Sequence, residues 1–411
     1  MPHLCARIHP QTNVPMPASS PTTSLGSQRE APFPMTFAEY FAGIGLVRMG
    51  LRAAGWSVVF ANDFSLQKYD MYKAFFPDAS NHYRVADIFQ LDYSQIPNST
   101  LATCSFPCVD LSLAGNMDGI RGKHSSAFWG FVRALNSQGQ AAPPLILVEN
   151  VPGWLSSNRG QDFRTTVSAL NDLGYSCDVF LLNALRFTPQ SRLRVFLVGT
   201  RARPASPDPL RILQRSPALS SSRLRAAIVA NHDLDWTHIG IPEPPPLLRG
   251  GLHAIVEQGP EHMWWPDTEV DRHIQMMAEA HRRRVLKLKA SDTISFRTFY
   301  RRRRNGQMRA EVRDDDMAGC LRTAVGGSSR QFLVAAGKGT IRMRHMTPRE
   351  YARLQGVPDS FPIEVPTNQA LTGFGDAVCV PAIAWIGLNV LNPLLEEISP
   401  LQAPSTLSHA R

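Results

Sequence analysis

Apolar and polar positions follow two periods along this chain, and the switches between them mark out strands and helices. Met35-Thr-Phe-Ala-Glu-Tyr-Phe41 alternates with a period of two and ends at Ala42-Gly43-Ile44-Gly45, which predicts a strand running into a glycine turn. Leu46, Met49 and Ala53 then recur at helical spacing, with Gly55 as a natural stop. Trp56-Ser-Val-Val-Phe60 predicts a second strand that closes at Asn62-Asp63. Leu145-Ile-Leu-Val-Glu149 and Val195-Phe-Leu-Val-Gly199 predict two more short buried strands. Strands alternating with helical stretches imply an α/β fold with a doubly wound, mostly parallel sheet.

The texture changes near Arg201. Residues 201–217 hold four prolines, Pro242–Pro246 form a stiff turn region, and Arg282–Arg284 and Arg301–Arg304 are basic runs. Further on, Ala377–Leu391 is apolar on nearly all sides, the pattern of a helix buried in a large core, so the chain is expected to return to its first domain. The resulting plan is a leader over 1–34, a catalytic and cofactor-binding domain over 35–200, and a smaller recognition domain over 201–345. A return segment over 346–395 and a loose tail over 396–411 complete it.

Composition narrows the class. The 411 residues suffice for two cores, and a 43% hydrophobic, 19% charged composition is that of a globular protein. The first 34 residues carry seven prolines and no apolar run of signal-peptide length, so they read as a disordered leader. No run of about 18 apolar residues appears, and no membrane span is expected. Six scattered cysteines, without a C-x-x-C pair or zinc spacing, predict neither disulfides nor a metal and point to a reducing cytoplasm. The net charge of +9 is localised: residues 201–345 hold 25 Lys and Arg against 15 Asp and Glu, and the remainder holds 18 against 19. A surplus confined to one segment is the footprint of a polyanion-binding module.

Four constellations could carry chemistry. Phe41-Ala-Gly43-Ile-Gly45 lets a backbone approach a ligand at a helix start, and Asp63, twenty residues after Gly43, could accept ribose hydroxyls while Phe64 stacks on a base. Arg48 stands where a dinucleotide fingerprint has its third glycine, so a tight turn with an ordinary surface Asp fits the same residues. Asp87, before Ile88, has the same standing at the end of a later strand. Pro107-Cys108 puts a thiol in a polar loop; such a cysteine needs activating neighbours to act as a nucleophile, and otherwise it packs. Glu149-Asn150-Val151 places a carboxyl at the carboxyl end of a strand, where active sites of such sheets open and where it could donate a proton. Gln190-Ser-Arg192-Leu-Arg194 alternates so that both arginines share a face suited to phosphate or a base oxygen.

Taken in order, these segments resemble the cytosine-5 DNA methyltransferase family over roughly residues 36–200 and 342–392. The family's F-x-G-x-G, P-C, E-N-V and Q-x-R-x-R motifs match Phe41–Gly45, Pro107-Cys108, Glu149–Val151 and Gln190–Arg194. Arg344–Gly356 looks like the segment that follows the family's recognition region, and Gly375-Asp-Ala-Val378 resembles its closing G-N-x-V element. Two positions depart. Asp376 replaces the usual Asn, and Cys320-Leu321 stands where the family has Thr-Leu.

The resemblance implies the Rossmann-like fold of S-adenosylmethionine-dependent methyltransferases. It implies S-adenosyl-L-methionine held by Phe41, Gly43, Gly45, Asp63, Phe64, Asp87, Ile88, Pro107 and Asp376. It further implies attack by Cys108 on carbon 6 of a flipped cytosine, with Glu149 donating to ring nitrogen 3, Arg194 on the exocyclic oxygen and Arg192 supporting the pocket. Gly115, Gly119 and Gly122 suit a loop closing over the extruded base. The basic segment becomes the double-stranded DNA reader, with Gln190, Arg301, Arg303, Arg322 and Arg330 as DNA contacts and Arg322–Gln331 as the reading loop. A bacterial restriction–modification setting is implied, with a monomeric enzyme and a cognate restriction endonuclease as partner. A tRNA methyltransferase of the same family and a non-catalytic DNA-binding regulator remain alternatives; the long basic insert argues against the first, and Cys108 with Glu149 against the second. A nicotinamide oxidoreductase would explain Gly43, Gly45 and Asp63 but not Pro107-Cys108.

Overall fold

The computed structural model describes residues 33–106, 127–206, 208–257, 259, 263–323 and 329–399. Seven strands form the main sheet: β1 (Thr36–Tyr40), β2 (Ser57–Asp63), β3 (Tyr83–Val85), β4 (Leu101–Cys104), β5 (Leu145–Asn150), β6 (Ser176–Asn183) and β7 (Leu193–Thr200). Their order is β3-β2-β1-β4-β5-β7-β6. All neighbours are parallel except the two pairs made by β7, which runs antiparallel to β5 and β6. From β1 the chain winds outward through β2 and β3, then returns to β4 on the other side of β1. A crevice opens at the carboxyl ends of the strands at such a reversal.

The strands are buried on both faces, and their side chains alternate between two cores. Leu145 and Leu147 of β5 point into one, Ile146 and Val148 into the other. Helix α1 (Leu46–Ala53) covers the first face together with the C-terminal helices. The contact is close at Gly50, where a Cβ would lie 2.6 Å from Ile383 Cβ. Helices over Ala127–Gln138 and Gln161–Asp172 cover the second face.

The expected C-terminal helix begins at Val380 and runs as Val380–Ile386, a π-helical turn over Gly387–Leu391, and a last helix over Asn392–Ile398. Trp56 Nε1 donates to Asn392 Oδ1 at 2.8 Å, fastening this run to the first domain. Packed structure therefore reaches Ile398, past the point at which a loose tail was expected. At the other end Phe33 already packs against the core. The stretch Thr367–Ile398 is long and apolar enough to cross a membrane by length and composition alone. Most of it is buried against the rest of the chain, so burial inside the protein accounts for its apolarity.

A second, antiparallel sheet of β8 (Ser295–Arg304), β9 (Gln307–Val312), β10 (Phe332–Gly337) and β11 (Thr340–His345) has the order β11-β10-β8-β9. Phe299, Val312, Phe332, Val334 and Met343 form its core, closed by Val270 and Val285 from helices Asp267–Gln275 and Glu279–Lys289. Asn305 and Gly306, with φ of 48° and 78°, make the two-residue turn between β8 and β9. The chain leaves β11 through Arg344, which is held by Glu350 at 2.6 and 2.9 Å with both side chains buried. Glu350 also completes a capping box with Thr347 at the start of the next helix.

Candidate active site

A cavity of about 680 Å³ opens at the carboxyl ends of β1, β2, β4 and β5. At one part of its wall, Phe41 takes a left-handed φ of 59° directly after β1, and the turn through Gly43 (55°) and Gly45 (83°) leads into α1. Gly45 admits no side chain, since a Cβ there would lie 2.7 Å from the rings of Tyr72 and Phe76. Asp63 ends β2 and is nearly fully buried; its carboxylate accepts from the backbone N–H of Gly43 and of Ser65, at 3.0 and 2.9 Å. Phe64 beside it is 71% exposed and lines the cavity, an unusual place for a bare ring unless something stacks on it.

Arg48, in place of a third glycine, takes no part in this wall. Its guanidinium is buried, forms two bonds to Asp78 at 2.9 and 2.7 Å, donates to Tyr72 Oη at 3.1 Å, and lies 4.0 Å over the Phe76 ring. It braces α1 against helix α2 (Leu66–Phe75).

The far wall is polar and charged. Glu149 near the end of β5 and Arg194 near the start of β7 meet with Oε1 2.8 Å from Nε. This is an ion pair in which the N–H is not aligned on the oxygen as a hydrogen bond. Arg192 is almost fully buried and donates to the carbonyls of Leu321 and Ala377 at 2.9 and 2.7 Å, tying β7 to these two segments. Burial pushes its guanidinium pKa down. Cys320 lies between the arginines, its Sγ 3.5 Å from Arg192 Nη1 and 3.7 Å from Arg194 Nη2. Burial opposes ionisation of this thiol, but the two guanidinium groups outweigh it and hold it below the usual thiol range. Burial raises Cys104, Cys177 and Cys379, and in Cys379 it outweighs the opposing pull of Arg192.

The structure thus brings Phe41, Asp63, Phe64, Glu149, Arg192, Arg194, Arg322 and Asp376 to one cavity, with Gly43 and Gly45 in the turn at its edge. Asp87 and Ile88 do not line it. Asp87 is exposed and caps the turn Ile88–Gln90 by accepting from Phe89 N at 3.0 Å, and Ile88 packs against Gly130. Gln190 overturns its assignment as a DNA contact. It is fully buried, its Nε2 donates to Leu354 O at 2.8 Å, and its Oε1 accepts from Leu321 N at 3.1 Å, so the amide is spent inside the protein. Arg301 and Arg303 stand on β8, Arg301 stacked over Phe332 and Arg303 exposed, while Arg330 donates to Asn368 Oδ1. Pro107, Cys108, the 109–124 loop and residues 324–328 of the expected reading loop lie outside the described residues.

Sequence reasoning missed Lys68, Ser105 and Phe106, which also line the cavity, and Thr323 of the expected reading loop lines it too. Lys68 had a readable signal. Ser65 caps α2 by accepting from Lys68 N at 3.3 Å, so a lysine three residues after that cap sits in the first turn, beside Asp63.

The S-adenosylmethionine expected here fits the donor set. A carboxylate whose oxygens can each accept again, an exposed ring and a glycine turn with no side chain suit a nucleoside, and neutralised charges line the same space.

A family model for C-5 cytosine-specific DNA methylases matches residues 35–392. The chain is 26% identical over 357 residues to the type II methyltransferase M.HaeII of Haemophilus aegyptius, covering 87% of this chain and 92% of that one. It is 24% identical over 365 residues to M.HhaI of Haemophilus parahaemolyticus, covering 87% and 94%. The fold is similar to that of the Dnmt2 methyltransferase of S. pombe, with a TM-score of 0.54, 16% identity, and 88% and 99% of the two chains covered. With the match spanning both sheets, the chain belongs to the C-5 cytosine-specific DNA methylase family.

Proposed function

We propose that the cavity holds S-adenosyl-L-methionine beside Phe41, Asp63 and Phe64, and receives an extruded cytosine of double-stranded DNA beside Glu149, Arg194 and Cys108. The observation that carries this reading is the meeting of Glu149, Arg192 and Arg194 in one cavity with the glycine turn, Asp63 and Phe64. When bound, the donor supplies an electrophilic methyl group on a sulfonium.

Carbon 5 of cytosine is too electron-poor to accept that methyl directly. The thiolate of Cys108 adds to carbon 6, which leaves an electron-rich centre at carbon 5; a proton given to ring nitrogen 3 keeps the ring from carrying a full negative charge. Glu149, in its protonated form, is the group in the cavity that can deliver this proton. Arg194, which contacts it, faces the exocyclic oxygen as charge develops there. Arg192 holds the Leu321 and Gly375–Ala377 segments in place beside Arg194, and its Nε has no hydrogen-bond partner among the described residues. After methyl transfer, a base takes the carbon 5 proton, the nitrogen 3 proton returns to Glu149, and Cys108 departs as thiolate, which restores the ring. Phe106, two residues before Cys108 in the chain, lines this cavity.

The base must leave the helix to reach such a site, at a cost of a few kcal/mol. The β8–β11 sheet with Arg301, Arg303, Arg322 and Arg330 serves as the recognition region, where phosphate contacts position the duplex and a few side chains read bases. Catalytic and cofactor-binding residues come from 35–200 and 346–395, and recognition from 201–345. The naming of the type II relatives supports a bacterial restriction–modification role, and an endonuclease reading the same site is the partner we propose for it. Labelled methyl transfer to duplex DNA and to tRNA, with Cys108→Ser beside the parent, tests the assignment. The expected result is labelling of duplex DNA by the parent alone; labelling of tRNA in preference to DNA would move the chain to the other substrate.

A further inference from the structure

Asp376 replaces the family's Asn at a position that lines the cavity, and it does not stand alone there. Its Oδ2 lies 3.0 Å from Lys68 Nζ, and its Oδ1 accepts from Thr323 Oγ1 at 2.6 Å. Both charged side chains face the cavity and remain about a quarter exposed, 24% for Lys68 and 29% for Asp376. Fold stability does not account for the pair. Ion pairs this exposed contribute about 0–1 kcal/mol. Asp376 is also the last residue of the helix Thr367–Asp376, where the helix dipole disfavours a carboxylate.

The surroundings point to a ligand carrying both charges. Lys68 lies in the first turn of α2, and its stem passes the glycine turn, with Cδ 3.9 Å from where a Gly43 Cβ would be. Helix α1 starts at Gly45 with no side-chain cap, and its first two residues, Leu46 and Val47, line the same cavity, so their N–H groups add positive potential. Asp63 and Phe64 account for a nucleoside but offer nothing to a carboxylate. An isolated Asp376 would attract an ammonium and repel a carboxylate; Lys68 beside it removes that conflict.

We propose that Lys68 and Asp376 act together as a clamp for a zwitterionic α-amino-acid group, Lys68 taking the carboxylate and Asp376 the ammonium. The clamp makes Lys68 a cofactor-binding residue. This rests on the reading that the cavity binds S-adenosylmethionine and says how its amino-acid end is held.

Equilibrium binding by calorimetry tests it with three ligands: S-adenosylhomocysteine, decarboxylated S-adenosylmethionine and 5′-methylthioadenosine, which has neither charge. Lys68→Met is expected to weaken S-adenosylhomocysteine roughly 10- to 100-fold, the range for a hydrogen bond to a charged group. The same variant should leave 5′-methylthioadenosine within about twofold of the parent, which also shows that the pocket is intact, and should not weaken the decarboxylated ligand. Asp376→Ala should weaken S-adenosylhomocysteine and the decarboxylated ligand, and again spare 5′-methylthioadenosine. Lys68→Arg should restore most of the affinity lost in Lys68→Met. Unchanged binding of S-adenosylhomocysteine by both variants overturns the clamp, as does equal weakening of all three ligands, while parental binding leaves the cofactor reading standing. A parent that binds none of the three overturns the cofactor reading and the clamp with it.

Discussion

Glu149 and Arg194 touch because β5 and β7 run antiparallel. The carboxyl end of β5 lies against the amino end of β7, with Glu149 opposite Phe196 and Asn150 opposite Val195. Two motifs more than forty residues apart in the chain thereby reach the same rim of the sheet. Had β7 been parallel, like the strands on the other side of β5, Arg194 would sit at the opposite end, away from the cavity. If Glu149 is the proton donor, Glu149→Gln should keep the fold and DNA binding while lowering single-turnover methyl transfer by about 100-fold or more. Transfer within a fewfold of the parent would remove Glu149 from the chemistry.

The Arg344–Glu350 pair joins the β8–β11 sheet to the helix that follows it, with side-chain exposures of 2% and 0%. Glu350 also accepts from the backbone N–H of Glu257 at 2.9 Å. Removing one partner leaves an uncompensated buried charge, so Glu350→Ala should cost about 3–5 kcal/mol in urea unfolding. A loss below about 1 kcal/mol, the scale of a surface pair, would contradict this structural role.

Much of the main sheet was legible, and the reasons are local. β1, β2, β5 and β7 are buried on both faces and therefore appear as short apolar runs, and the glycine turn after β1 is marked by its own residues. β6 was missed although it is equally apolar. The recognition sheet was missed for a different reason: the arginines of β8 dominate the reading as charge and hide the alternation of Phe299 and its neighbours, and the Asn305-Gly306 turn went unused. At the site, Asp63 and Glu149 were readable because strand ends position them. Gln190 misled because its motif is polar. Only the tertiary structure turns that amide inward, against Leu354 and Leu321.

Glu39 on β1 is fully buried, and neither carboxyl oxygen is held by another side chain among the described residues. Burial raises its carboxyl to about 8, against the opposing pull of Arg48. The folded state therefore holds this proton more tightly than the unfolded chain. Its contribution to stability is intact below the ordinary carboxyl range and is lost as pH climbs from about 4.5 towards 8. Unfolding free energies measured between these limits should fall more steeply for the parent than for Glu39→Gln. Parallel curves would show that Glu39 does not titrate in this way.

The basic recognition region should make duplex binding strongly salt-dependent through counterion release. Arg303 is exposed on the β8–β9 hairpin. Arg303→Ala should reduce the slope of log affinity against log salt by about one. An unchanged slope would take this hairpin off the DNA backbone.

The account depends most on a covalent bond between Cys108 and the target base. A duplex carrying 5-fluorocytosine blocks proton loss from carbon 5 and should hold the reaction at the adduct. With S-adenosylmethionine present, peptide mass spectrometry of the parent should find the fluorinated, methylated base attached at Cys108, and Cys108→Ser should give none. An adduct at another residue, or equal trapping by the serine variant, would contradict the account.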